Sequence, residues 1–543
     1  MHITFVAIGC EQLAISQLSA IAKQSGHTVD LAYTASLFND HFNLSIPHLA
    51  PLFDDRNTVI EQIKEQKPDI VAFSALTSTY QWMLQIAKEV KDFSPDIITV
   101  FGGVHPSAVP ERVISRPQVD YVIAGEGDIA LPLILEQIES QSEKIIPNTR
   151  YKNKNGTVIR GPQTGFIQDL DSLPHYDKTI WEKYIRLNDR YMTMASRGCP
   201  YTCTFCFNNF FAKLPDKNQV KGKYVRQRSV EHVMHELVEA KKRYNYKVVE
   251  FQDDVLTVNK EWLKNLLKEY RKKINVPFYC LTHPKYMDED IARWLSEAGC
   301  ISIQMGIQTM DENYKYELVK RFEKSSHIEE ALRIMHKYNL KVKTDMMFGL
   351  PNEPAEGQKA ALELFKKYPP QRIQTFWTTF LPGTAMLKEA VHNKWISKDD
   401  EERLNEGLDF NFFRSSSNII EKTQIHKFQS YEFIYRLIPI LPKHLRKKLD
   451  PNSFRLIPPF GLKLTAALID MFHGLITKDP SHISYAKHYK HHLLNFFRKK
   501  VNLPEIPATH VHSDSSKKTY LYKTKNQSIP APQKRPASIN YFF

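Results

Sequence analysis

Over the first 140 residues, apolar positions fall in short runs separated by stretches with helical spacing. Residues 3–8, 28–33, 70–74, 97–101 and 121–124 read as strands, and 13–24, 58–65, 82–92 and 130–137 as helices. This βαβαβ series predicts a doubly wound, Rossmann-like parallel sheet, whose ligands meet the carboxyl ends of its strands. Residues 141–189 are polar and irregular and read as a linker or small crossover element. A second alternating series occupies 190–395. Its strands are expected at 191–196, 248–252, 278–281, 302–306, 343–348 and 373–379, with helices such as 230–243, 260–273, 288–298 and 328–338 between them. Six βα units predict a partial (β/α)6 barrel with its chemistry at the carboxyl strand ends. A helical C-terminal region is expected over 396–500. From 501 to 543 Pro, Ser, Thr and Lys dominate, which predicts a disordered basic tail.

The turns that close the first series are rich in small residues: Gly9-Cys10, Ser74-Ala75-Leu76-Thr77-Ser78, Gly102-Gly103-Val104-His105 and Gly125-Glu126-Gly127-Asp128. Glycine there lets backbone approach a ligand closely. No GxGxxG opens the first helix, which counts against a nucleotide-binding Rossmann domain.

Charge changes the picture little. The net charge is +14, but from Glu401 onward about 23 Lys and Arg stand against 11 Asp and Glu, so most of the excess is C-terminal. A solvated basic region accounts for it, and no nucleic-acid partner is expected. An anionic membrane surface remains open as a peripheral contact through the basic residues 443–448, the segment 454–460 and the amphipathic stretch 462–476. The N-terminus carries no signal-peptide pattern, and no apolar run reaches the ~20 residues that cross a bilayer. A cytoplasmic location, with reduced thiols, is expected.

Six cysteines occur, and three lie in Cys199-Pro-Tyr-Thr-Cys203-Thr-Phe-Cys206, just after the first barrel strand. Three thiolates so close call for a metal, either zinc or an iron–sulfur cluster. Structural zinc wants four ligands, and no fourth Cys or His follows within two dozen residues. A [4Fe-4S] cluster on three thiolates keeps one iron open to a small molecule. Cys280 and Cys300 read as core thiols, with Cys280 a weaker candidate for the active site because it lies on the third barrel strand.

The CxxxCxxC spacing, with Phe205 before the last cysteine, resembles the signature of the radical S-adenosylmethionine superfamily. The resemblance implies that Cys199, Cys203 and Cys206 hold a [4Fe-4S] cluster, that S-adenosyl-L-methionine chelates the open iron, and that its reductive cleavage yields a 5′-deoxyadenosyl radical. Phe205 would lie beside the adenine. Gln252 and Asp253 would meet the methionyl ammonium, Gln308 the ribose region, Arg321 (with Lys320 competing) the carboxylate, and the Gly349-Leu350-Pro351 loop the adenine.

Ahead of such a barrel, the first domain resembles the cobalamin-binding domain of the cobalamin-dependent radical subfamily. Gly9, Cys10, Ser74, Leu76, Thr77, Gly102, Gly103, His105, Gly125, Glu126 and Gly127 would take up the corrinoid and its nucleotide tail. The Asp-x-His-x-x-Gly of methionine-synthase-type domains is missing after the first strand, so no protein imidazole is expected on the cobalt from that turn. Cys10 is a small turn residue or, less simply, a thiolate ligand. The resemblance implies methylation of an unactivated carbon in a natural product or lipid. Radical cyclisation, rearrangement and a non-catalytic cobalamin carrier stand as alternatives. A reductant such as flavodoxin or ferredoxin is the expected protein partner.

Overall fold

The computed structural model describes residues 1–40, 44–45, 48–53, 55–215, 222–408, 422–454, 469, 474, 476–477 and 479–511. Seven strands form the first sheet: β1 (His2–Ile8), β2 (Thr28–Thr34), β3 (Ile70–Ser74), β4 (Ile98–Gly102), β5 (Tyr121–Ile123), β6 (Thr149–Lys152) and β7 (Val158–Arg160). Their order is β2-β1-β3-β4-β5-β6-β7, parallel through β5. The chain reverses direction of growth between β1 and β3, the switch point at which such sheets bind ligands. Both faces are covered, which is why β3 reads as an unbroken apolar run. Phe5, Ala72 and Val100 face one core, Val6, Val71 and Phe73 the other.

The linker expected over 141–189 is instead largely built into the structure. Strands β6 and β7 extend the first sheet antiparallel to β5. Their alternation spans only three or four residues each, too few for periodicity to register. Further on, Trp181 Nε1 donates to Ser16 Oγ at 2.8 Å, and Asp177 pairs with Lys23 at 2.7 Å. This segment straps the first domain to the second.

Six parallel strands form the second sheet in sequence order: β8 (Tyr191–Thr193), β9 (Val249–Phe251), β10 (Phe278–Thr282), β11 (Cys300–Gln308), β12 (Lys341–Phe348) and β13 (Arg372–Trp377). Strands β8 and β13 do not pair with each other, so the barrel is partial and open on one side. Helices Val230–Tyr244, Lys260–Lys273 and Glu289–Glu297 cover its outside. Each begins at a polar residue whose side chain accepts a backbone N–H: Ser229 from His232, Asn259 from Trp262, Asp288 from Ile291. Phe251 and Phe278 pack outward against Tyr270. Alternate residues therefore point into the barrel.

Helices Lys398–Asn405, Lys422–Leu437 and Pro480–Lys500 make up the C-terminal region. Residues 501–511, the start of the expected tail, are instead ordered against the protein. Ala508 and Thr509 are buried, and their N–H groups donate to the carbonyls of Lys183 (3.1 Å) and Glu182 (3.0 Å). The segments 454–460 and 462–476 lie almost wholly, and the chain beyond 511 entirely, outside the described residues. Among the described residues, no helix is long and apolar enough to cross a membrane.

Candidate active site

The cysteine loop leaves β8 through Gly198, whose φ is +87°. A Cβ there would lie 2.4 Å from the Tyr224 carbonyl oxygen, so only glycine fits. The loop is pinned by its non-cysteine residues. Thr204 donates from N–H to Val319 O (3.1 Å) and from Oγ to Leu318 O (2.6 Å), and its own carbonyl accepts Met386 N–H at 3.0 Å. Asn209 Nδ2 donates to Thr202 O at 3.0 Å. Cysteines 199, 203 and 206 are free thiols in electrostatic reach of one another. Burial pushes the Cys199 and Cys206 thiols up to about 12, and a metal that binds them as thiolates must displace their protons. Among the described residues, no three acidic, His or Cys side chains converge tightly enough for a single ion. Three thiols on one pinned loop are the donor set of a [4Fe-4S] cluster that keeps one iron open.

The residues expected around S-adenosylmethionine divide into two groups. Phe205 packs against the buried cluster that includes Met347 and Leu350, which joins the cysteine loop to the end of β12. Gly349 adopts φ +75°, and its N–H and that of Leu350 donate to Glu353 Oε2 at 2.9 and 3.3 Å. Glu353 is buried and is pushed up to about 8 by burial; it holds the Gly349-Leu350-Pro351 turn. Tyr314 OH donates to Pro351 O. Gln308 sits at a bulge between β11 and β12 with φ +67°, and its amide turns back over Gly306. Arg321 donates to Glu323 (2.8 Å) and Gly306 O (2.8 Å), and its charge borders Cys203.

Two expectations on β9 need correction. Asp253 is fully buried, taking the Ala195 N–H at 3.1 Å and the Ser196 hydroxyl, and Gln252 donates to Glu250. Asp253 ties the ends of β8 and β9 together and is pushed up to about 6 by its burial. The neighbouring Asp254 is exposed, accepts Asn208 Nδ2 at 3.0 Å, and lies within electrostatic reach of Cys199 and Cys206. Nothing in the sequence singles out Asp254, because adjacent carboxylates differ only in which side of the strand end they face. Cys280 is also corrected: it is buried beside Cys300 on the outward face of the barrel wall, where it packs. Inside the barrel, Gln304 Nε2 donates to both oxygens of Asp345 at 3.1 and 3.0 Å. Asp345 is pushed up to about 6 by burial. No motif marked this pair.

The cobalamin-side loops gather at the switch point and face the barrel. Gly9 has φ +80°, Cys10 is exposed, and Glu11 reaches down to a buried ion pair with Lys178, which also donates to Met192 O at 2.7 Å. At the next loop Leu76 is 47% exposed, an apolar side chain held outward at a ligand-facing turn. Gly102 ends β4, and Gly103 adopts φ +99°, where a Cβ would lie 2.8 Å from both Ala75 N and O. The Ser74–Thr77 and Gly102–His105 loops are therefore in backbone contact, which no side chain at 103 permits. His105 is buried against Tyr80, with Nδ1 3.3 Å from Thr77 Oγ1; Nε2 is buried without a hydrogen-bond partner. A buried polar atom left unpaired is costly, and a group inserted from a bound corrinoid's tail would satisfy it. Glycine cradle, exposed leucine and orphaned imidazole nitrogen together fit a cobalamin.

Glu126 does something other than expected. Its two oxygens take Arg226 Nη1 and Nη2 at 2.9 and 2.7 Å, and Asp128 takes Arg197 at 2.9 and 3.0 Å. Arg197 and Arg226 lie on a two-stranded ribbon beside the cysteine loop. These carboxylates clamp the first domain to the barrel. A Cβ at Gly125 would lie 3.7 Å from Leu214, which follows the cysteine loop, whereas one at Gly127 would meet Leu18 of the first domain's own helix Leu13–Gln24.

A doubly wound domain is thus docked by its ligand-binding edge onto an open barrel, next to a three-cysteine loop. The family models for the B12 binding domain and the radical SAM superfamily match residues 10–135 and 194–365. The chain belongs to the cobalamin-binding-domain-containing radical S-adenosylmethionine enzymes, with a [4Fe-4S] cluster, S-adenosylmethionine and cobalamin as cofactors. It is 27% identical to an uncharacterized methyltransferase of Pyrococcus horikoshii, over 70% of this chain and 82% of that one. It is 23% identical to cytidylyl-2-hydroxyethylphosphonate methyltransferase of Streptomyces wedmorensis (64% and 70%), and 24% identical to the anaerobic magnesium-protoporphyrin IX monomethyl ester cyclase of Rubrivivax gelatinosus (68% and 64%). Among solved structures it resembles the radical methyltransferase TsrM of Kitasatospora setae with cobalamin and [4Fe-4S] bound, at TM-score 0.56 and 18% identity over 72% of this chain and 78% of that one. It also resembles OxsB with aqua-cobalamin and S-adenosylmethionine bound, at TM-score 0.61 and 14% identity over 92% and 75%.

Proposed function

We propose that this enzyme transfers a methyl group to an unactivated carbon of a natural product or lipid. The observation that carries the reading is the closure of the cobalamin-side loops onto the cysteine loop through Glu126–Arg226 and Asp128–Arg197, which leaves the barrel interior between them. When bound, the cluster with S-adenosylmethionine supplies a one-electron cleavage and a hydrogen-abstracting radical, and cobalamin supplies a methyl carrier. The chain's own part is to hold these groups in line. Cys199, Cys203 and Cys206 hold the cluster, Asp254 accepts the methionyl ammonium, and Phe205 with the Gly349–Pro351 turn bounds the adenine. Gly9, Cys10, Ser74, Leu76, Thr77, Gly102, Gly103 and His105 take the corrinoid. Gln304 and Asp345, pointing inward from β11 and β12, orient a polar group of the substrate. The electron comes from a small carrier such as flavodoxin or ferredoxin.

The test is anaerobic reconstitution, then turnover of S-adenosylmethionine with candidate substrates. Methyl transfer requires both 5′-deoxyadenosine and S-adenosylhomocysteine in step with product. 5′-Deoxyadenosine alone points to radical chemistry without methyl transfer, such as cyclisation; the Rubrivivax relative is a cyclase by name. Neither product, with cobalamin bound, leaves a carrier.

A further inference from the structure

The surface at the end of helix Pro480–Lys500 gathers exposed apolar side chains. Leu494, Phe497 and Val501 recur at three- and four-residue spacing on one helical face and are 49%, 54% and 66% exposed. The chain then turns back, holding Leu503 and Ile506 outward. Their exposure is fixed rather than slack: Leu503 N–H donates to Arg498 O at 2.9 Å, Ile506 N–H to Asn495 Oδ1 at 3.0 Å, and Arg498 Nε to Pro504 O at 2.8 Å. The short helical turn Ala50–Phe53 adjoins it through the Phe53–Phe496 ring contact (4.5 Å), and its Leu52 is exposed as well.

The charge around this apolar face is one-sided. Lys487, Lys490, Arg498, Lys499 and Lys500 are the Lys and Arg residues of 480–507; Lys487 pairs with Asp189 at 3.7 Å, and Glu505, the lone acid of that segment, with Lys183 at 2.9 Å. An exposed apolar stripe rimmed by cations, with its acid neutralised, matches the interface of an anionic bilayer: the side chains enter the acyl boundary and the cations meet the headgroups. A neutral apolar partner leaves the cations unused, and an acidic soluble partner leaves the leucines unused.

We infer that the protein docks on anionic membrane surfaces through the outer face of helix Pro480–Lys500, the turn after it and Leu52. This is a different surface from the segments 443–448 and 454–476, and it does not depend on which reaction the barrel performs.

The test is co-sedimentation of the full-length holoprotein with phosphatidylcholine vesicles containing or lacking phosphatidylglycerol, at low and high salt. The expected result is a partition at least tenfold higher onto the anionic vesicles, weakened by salt. Leu494→Glu/Phe497→Glu should cut it at least tenfold, as should Lys499→Glu/Lys500→Glu. Ile145→Glu, at an exposed apolar residue in the first domain, should leave it unchanged. Retained cobalamin absorbance and an unchanged unfolding midpoint verify that the variants are folded. Equal partition on neutral vesicles, no partition, or unchanged partition of the Leu494/Phe497 variant would overturn the inference. So would self-association abolished by those same substitutions, which would make the face a contact between copies of this chain.

Discussion

Replacing Glu126 by Gln separates its two readings, as a corrinoid contact and as a strut. Arg226 is almost fully buried and makes four hydrogen bonds: two to Glu126, one to Ile167 O at 2.9 Å and one to Tyr224 O at 3.0 Å. Glu126→Gln leaves a buried guanidinium facing an amide that can accept at only one atom. Removing one partner of a buried charge pair typically costs ~3–5 kcal/mol. Here two carbonyl acceptors remain and Glu126 is partly solvated, so about 2–3 kcal/mol is the expected loss. Urea unfolding of the holoprotein should report that loss. Arg226→Gln should lose as much, and the double variant should show a coupling of about 2 kcal/mol between the sites. Cobalamin affinity of Glu126→Gln should stay within about threefold, since the side chain is turned to the barrel. Unchanged stability with tenfold weaker cobalamin binding would refute the strut and restore the contact.

Four further outcomes follow from the site. Replacing Cys199, Cys203 or Cys206 by Ala should abolish the reconstituted iron and 5′-deoxyadenosine formation while leaving cobalamin absorbance in place. Gly103→Ala meets Ala75 backbone at 2.8 Å in a conformation that costs a non-glycine residue ~1–3 kcal/mol, so an absorbance titration should show cobalamin binding weakened tenfold or more. Asp254→Asn should raise the KM for S-adenosylmethionine several-fold with the cluster's iron intact, whereas Asp253→Asn should lower the thermal midpoint. Burial lowers His105 to about 4 from its usual 6.5, so the unfolded chain binds the extra proton between those values. Stability present above pH 6.5 should therefore fall as the pH drops toward 4, by up to ~3 kcal/mol, and the slope should flatten in His105→Gln, measured by urea unfolding at each pH.

Local pattern was enough where one element's own residues decide the outcome. The five parallel strands of the first domain and the six of the barrel each bury a face, and burial writes itself as periodicity. The cysteine loop was legible because its three thiols sit within eight residues, a spacing that calls for a metal and that resembles the radical S-adenosylmethionine signature. Glycines 9, 103 and 125 were legible for a related reason: each adopts a positive φ that few other residues tolerate. The short strands Thr149–Lys152 and Val158–Arg160 escaped because three or four residues cannot display a period, and Ala508–Thr509 because a polar tail has no reason of its own to dock.

What the sequence by itself determined, then, was two α/β units, a cluster loop and a set of small-residue turns at strand ends. Only the tertiary structure decided how the carboxylates at those ends are used. Glu126 meets Arg226 across 100 residues, Asp253 reaches back 57 to Ser196, and Asp254, its neighbour, is left open beside the cysteines. A carboxylate's role depends on the charge, donors and solvent around it, and those are supplied by residues far away in the chain. Periodicity records which face of an element is buried; it carries no record of which distant partner waits on the other side.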